Sequence, residues 1–197
     1  VSFTGTGANA TVGHGLGVTP KWIIVKSRGV ENWRVYSSAL GATKAMLLNG
    51  NNAEDTDSSY WNGEPTSSVF TVGTNAGTNG SSVNMIAYCF ADVQGFSKFS
   101  SYIGNGNADG TFIYTGFLPS FVMVKRTDNT SDWQIQDNKR IGYNVNNYRI
   151  FGNTSETEYT SGVMDFVSNG FKFRGTPMNT SGGTFIYMAF AEEPLVG

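Results

Sequence analysis

Charge is scarce in this chain. Asp, Glu, Lys and Arg make up only 14% of its 197 residues, where soluble domains usually reach about a quarter. With 13 basic against 15 acidic side chains, no basic stripe can track a phosphate backbone, which argues against a nucleic-acid partner. One cysteine, Cys89, excludes an internal disulfide and leaves the redox compartment open. No apolar run approaches the roughly 18 residues of a membrane helix, and no signal peptide is visible. Ala, Leu, Glu and Lys, the residues of long helices, are sparse. The one stretch with a helical look, 37–45, is short and interrupted by Gly41.

The abundant residues tell the other half. Gly contributes 25 positions and aromatics 14%, alongside many Ser, Thr and Asn. Apolar β formers mixed with small polar turn residues are what strands joined by many turns require. At this length a hydrophobic core can form without disulfide help.

The chain also reads as written twice. Phe3-Thr4-Gly5-Thr6-Gly7 is answered by Tyr102-Ile103-Gly104-Asn105-Gly106, and Gly17-Val18-Thr19-Pro20-Lys21-Trp22-Ile23-Ile24-Val25-Lys26 by Gly116-Phe117-Leu118-Pro119-Ser120-Phe121-Val122-Met123-Val124-Lys125. Trp33-Arg34-Val35 aligns with Trp133-Gln134-Ile135 after a one-residue slip, and Ser68 to Gly73 resembles Gly170 to Gly175. Both halves close alike, on Ile86 to Asp92 and Ile186 to Glu192. Five matches in one order point to a duplication. Each half holds six or more short strands by pattern, separated by Gly, Asn, Ser and Asp clusters, the signature of sandwiches and jelly rolls.

The stretch from Met85 to Ala91 is apolar at every position, so the usual alternation is missing. Ile86, Tyr88 and Phe90 take one side; Met85, Ala87, Cys89 and Ala91 take the other. Such a strand is normally covered on both faces, and Phe185 to Ala191 repeats the pattern. The expectation is therefore an all-β chain of two homologous β-sandwich repeats, jelly-roll or lectin-like, at 1–98 and 99–197. The two are expected to pack as a pseudo-symmetric pair.

Motifs for chemistry are thin. His14 lies in a Gly13-His14-Gly15 turn and Cys89 in an apolar strand, where a thiol behaves as a small hydrophobe; the register makes Ile113 and Ala189 their counterparts. Gly5/Gly7 and Gly104/Gly106 lack the third glycine and following helix of a phosphate loop, so tight turns or bulges explain them better. No Gly-x-Ser-x-Gly, His-Glu-x-x-His or Walker sequence is present. The acidic loop of Glu54, Asp55 and Asp57, and a second one bearing Asp128 and Asp132, have a spacing that would suit Ca²⁺, though solvated loops are the plainer account. Tyr60, Trp61 and Asn62 sit in a polar stretch as candidates for stacking on a glycan; the alternative is that Trp61 folds back over a sandwich edge. Trp22, Trp33 and Trp133 fall on repeated strands and read as core.

The series Gly-x-Gly, Gly17-x-x-Pro20-x-x-Ile23-x-Val25-Lys26, Trp33-x-Val35-Tyr36 and Ala87-Tyr88-Cys89-Phe90-Ala91 resembles a widespread bacteriophage domain. Gly95-Phe96-Ser97-Lys98-Phe99 and Ser181-Gly182-Gly183-Thr184-Phe185-Ile186-Tyr187 fit the same pattern. That domain occurs, often in tandem, in tail-fibre-like and other virion proteins, especially of phages of marine bacteria and cyanobacteria. The resemblance implies a non-enzymatic virion protein, made in the host cytoplasm. Its leading form is a tail-fibre or spike module for host attachment, oligomeric and expected to be trimeric, binding a host-surface glycan among other virion subunits. A capsid-decoration or purely structural protein is the alternative, and a polysaccharide-degrading spike a weaker one.

Overall fold

A computed structural model describes residues 1–140, 144, 148–161 and 163–194. The chain is almost entirely β and divides into two compact units, Val1–Ala91 and the part from Asp92 onward. The division lies seven residues before the 98/99 boundary expected from the sequence. The reason is that the strand beginning at Ser97 pairs with the last strand of the second unit.

The first unit runs β1 (Ser2–Thr4), β2 (Ala10–Gly13), β3 (Trp22–Ser27), β4 (Arg34–Ser37), β5 (Lys44–Leu47), β6 (Asp55–Thr56), β7 (Val69–Val72) and β8 (Asn84–Phe90), with one helical turn α1 (Ala76–Asn79). The second runs β9 (Ser97–Ile103), β10 (Phe112–Tyr114), β11 (Pro119–Arg126), β12 (Gln134–Asp137), β13 (Ile150–Phe151), β14 (Met164–Val167), β15 (Gly170–Phe173) and β16 (Thr184–Ala191). The stretch 37–45 is a turn between β4 and β5. The short strand β2, the polar two-residue β6 and the turn α1 are not among the strands expected from the sequence.

Each unit sets a large sheet against a small one. In the first, the order β1-β8-β3-β4-β5-β6 faces the pair β2-β7; in the second, β9-β16-β11-β12-β13 faces β10-β15-β14. The strand order is the same in both units from the first strand to the fifth, and every ladder is antiparallel. The ladders also refine the register: Val12 opposes Phe70 as Ile113 opposes Phe171. Val12 and Ile113 thus hold like places, each opposite a core phenylalanine.

Alternation decides what each core contains. Ile23, Val25, Met85 and Ala87 meet Phe70 and Val72 in the first unit. Val122, Val124, Phe185, Tyr187 and Ala189 meet Ile113, Phe166, Phe171 and Phe173 in the second. The small-residue side of β8 is thus the side that a second sheet approaches. Trp22 and Trp133 are fully buried as expected, whereas Trp33 is half-buried and stacks on exposed Tyr88, centroids 6.4 Å apart.

The Gly-x-Gly turns are clasps around buried asparagines. Asn79 accepts a hydrogen bond from Thr6 N (2.8 Å) and donates through Nδ2 to Ala8 O (2.6 Å) and Gly73 O (2.8 Å). Asn179 accepts from Asn105 N (3.1 Å) and donates to Asn105 Oδ1 (2.8 Å) and Asn107 O (3.0 Å). In both, the asparagine's own carbonyl accepts from the second glycine, Gly7 or Gly106, each held at positive φ. The first glycine makes the approach feasible: a Cβ on Gly5 would lie 2.1 Å from Gly80 O, and one on Gly104 2.3 Å from Thr180 O. Removing either amide strands several buried polar groups. Asn79→Ala and Asn179→Ala should each cost about 3 kcal/mol, read from urea unfolding midpoints; a loss under about 0.5 kcal/mol would contradict the clasp.

On the face of β11 away from that core, Lys125 is fully buried and its Nζ donates to Arg126 O (2.6 Å). Burial pushes its ammonium down from 10.5 to about 8. The unfolded chain keeps that proton to higher pH, so between these two values the unfolded state binds more protons and stability rises with pH. The stability of wild type relative to Lys125→Met should therefore rise from pH 8 to 9.5, by up to about 1.4 kcal/mol per unit. A flat difference in chemical denaturation would remove this account.

Candidate functional site

Of the residues proposed from sequence for glycan binding, the two aromatics are not on the surface. Tyr60 and Trp61 are each only 3% exposed. The polar stretch around them folds over the open end of the first unit's sheets. Trp61 packs edge-on against Tyr36 with centroids 5.7 Å apart, and its Nε1 donates to Lys44 O (3.1 Å). Tyr60 lies under the Arg34 guanidinium, 4.7 Å from the ring centre, and its hydroxyl donates to Asp55. Burial, then that carboxylate, push the Tyr60 phenol up to about 12. Neither ring can offer a face to a ligand, and Asn62 beside them is exposed alone.

The candidate metal ligands are engaged separately. Glu54 pairs with Lys44, Asp55 takes the Tyr60 hydroxyl, and Asp57 accepts from Ser59 N (2.8 Å) and Ser59 Oγ (2.7 Å). Those two bonds hold the Asp57 carboxyl below its usual range. In the second unit Asp128 is clamped by Arg126 at 2.8 and 3.1 Å, and Asp132 accepts from Asn153 Nδ2 (2.7 Å). Among the described residues no group of three or more His, Cys, Asp or Glu could hold a metal ion. Millimolar Ca²⁺ or EDTA should shift the melting temperature by less than 1 °C; a rise of several degrees with Ca²⁺ would show a site formed on binding.

His14 and Cys89 have structural surroundings. His14 is buried, with Nδ1 accepting from Leu16 N (3.1 Å) and Nε2 at 3.1 Å from Thr66 O. That pairing assigns the proton to Nε2. Burial pushes the Cys89 thiol up to about 11, the opposite of what a nucleophile needs.

Two exposed aromatics share one strand elsewhere, on β10. This strand pairs only with β15 and forms the edge of its sheet. Ile113 points into the core, so Phe112 and Tyr114 point out, at 45% and 65% exposure. Opposite them on the same face stand Lys172, across from Phe112, and Gly170, across from Tyr114. A Cβ on Gly170 would meet Ile113 O at 2.0 Å, so the position beside Tyr114 stays free of a side chain. Lys172 binds Asp109 at 2.5 Å. The hydrogen bond and charge of Lys172 hold the Asp109 carboxyl below its usual range.

The shelf opens on a cavity of about 390 Å³ lined by Tyr114, Thr115, Asp92, Gln94 and Lys98 among others. Asp92 is fixed by Lys98 Nζ (2.6 Å) and Phe99 N (2.8 Å). An aromatic face beside convergent amide, carboxylate and ammonium groups suits a polar ligand with flat apolar patches. In the first unit the ladder puts Thr11 and Gly13 at the corresponding places, so only the second unit has the shelf. Strand alternation in Phe112-Ile113-Tyr114 is a signal that could have found it.

Two β-sandwich units, one carrying an aromatic edge shelf, define the class of protein. The chain belongs to the DUF7483 family, described as a domain of unknown function, whose family model matches residues 1–194 and so spans both units. No curated protein and no solved structure matches it.

Proposed function

We propose that this chain is a non-enzymatic bacteriophage virion module, a tail-fibre or spike component that attaches to host-surface glycan. The observation that carries the reading is the Phe112–Tyr114 shelf: two outward aromatic side chains, two residues apart on an edge strand, the second of them lining a cavity that also holds Asp92, Gln94 and Lys98. Isolated exposed apolar residues are ordinary, but a paired aromatic patch rimmed by polar groups is the usual mark of a binding surface. The phage resemblance of the repeated motifs supports placing it on a virion. In this reading the two units derive from one duplicated ancestor, the module works as a homo-oligomer, a trimer, and the attachment surface belongs to the second unit.

The dispersal of acids among Lys44, Tyr60, Ser59 and Arg126 favours binding over glycoside hydrolysis, which needs two carboxyls held across one bond. A capsid-decoration role draws support from the stack of exposed Tyr88 on half-buried Trp33 in the first unit, a surface that suits packing against a neighbouring subunit.

The test is binding of the purified chain to host cells and to their extracted polysaccharide. Tyr114→Ala should weaken binding about tenfold, roughly 1.4 kcal/mol, and Phe112→Ala with Tyr114→Ala further, while Asn62→Ala changes nothing. Binding that survives the double variant, or none in wild type across susceptible hosts, would reject attachment through this shelf.

A further inference from the structure

A second cavity in the second unit lies on the sandwich side of its large sheet, where Gln134 opposes Phe151 and Arg126 opposes Phe185. It holds about 270 Å³ and is lined by these four residues with Arg149, Asp132, the hydroxyl residues Thr130, Ser131 and Thr180, and the apolar Pro177 and Met178. It is smaller than the roughly 300–1,000 Å³ of pockets for larger ligands, a size suited to one sugar ring.

Its charges are unevenly matched. The Arg126 guanidinium is satisfied bidentately by Asp128. Arg149 has no carboxylate within ion-pairing distance among the described residues. Its Nη1 donates to Gln134 Oε1 (3.2 Å), while Gln134 is itself fully buried and tied to Gln136 (2.7 Å). The guanidinium lies over the rings of Phe151 and Tyr159, 5.7 and 5.6 Å from their centres. Its Nε is buried and has no hydrogen-bond partner among the described residues. A buried guanidinium N–H left unmatched is costly unless something occupies it. In the first unit the register places Arg34 where Gln134 stands, and Tyr60 lies beneath it.

We propose that this cavity binds an acidic sugar residue of the uronic acid type, with its carboxylate on Arg149. The proposal rests on the glycan-attachment reading for its choice of ligand. A planar carboxylate matches the guanidinium fork. Arg149 offers one guanidinium without a carboxylate partner, which suits a monoanion, and Asp132 on the wall opposes a doubly charged phosphate monoester. Phe151, Pro177 and Met178 offer an apolar wall for the ring, and Thr130, Ser131 and Thr180 offer partners for its hydroxyls. Gln134 is a positioning residue that holds Nη1.

The experiment follows the Arg149 Nε–Hε resonance of the whole chain by ¹⁵N-edited NMR, assigned through its loss in Arg149→Lys. Glucuronate should shift it saturably, glucose should not, and acetate should need at least tenfold higher concentration. Arg149→Gln should weaken glucuronate binding more than tenfold, with the melting temperature recorded alongside. Acetate matching glucuronate would mean an anion site only and overturn the sugar assignment. Sulfate binding more tightly than glucuronate, or no saturable shift, would overturn it as well. Uptake of glucuronate without any affinity for host polysaccharide would uphold the cavity and remove host attachment. Polysaccharide binding lost in Tyr114→Ala, with a silent Arg149 resonance, would do the reverse.

Discussion

In each unit a large sheet buries one face on a small one, and that burial fixes the side every strand residue must take. The period of two leaves no freedom once Phe171 and Ile113 are inside. Phe112 and Tyr114 are then outside, Gln134 shares a face with Val124 and Arg126, and Lys125 is turned away from them. Shelf, cavity and buried lysine are consequences of the same parity. A one-residue slip of β10 would bury the shelf and expose Ile113.

The closing device of each sandwich shows why backbone polar groups govern the loops as much as apolar area does. The turn between β1 and β2, and its counterpart between β9 and β10, bring peptide N–H and C=O groups inside. Asn79 and Asn179 satisfy them with a short amide that accepts through its oxygen and donates through its nitrogen at once. Only glycine lets the two strands of backbone come close enough for those bonds. The pairs of glycines and the distant asparagines therefore form one unit of structure, though about 73 residues separate Thr6 from Asn79.

On a shared strand order the two units carry different surfaces. The first closes its open end with Tyr60, Trp61 and Arg34 and presents Thr11 and Gly13 on its edge. The second presents Phe112 and Tyr114 on its edge and keeps a cavity beside Arg149. The differences fall at strand ends and edges, which tolerate change without loss of the core.

The sequence by itself determined the all-β class, most of the strands and the matched motifs at offsets near 99, because period-two apolar patterns and turn residues are local signals. It also marked Gly5, Gly7, Gly104 and Gly106 as turns and Cys89 as packing. The tertiary structure alone decided which aromatics face solvent. Tyr60 and Trp61 stand among polar residues, yet the chain folds them over a sheet end, and Asp55 and Lys44 O satisfy their polar atoms. Tyr114 lies in an apolar strand, yet an edge position exposes it. Alternation puts Phe112 and Tyr114 on one side of β10, but only the packing of the sheets decides that this side meets solvent, and the meeting of Arg149 with Gln134 has no local pattern behind it.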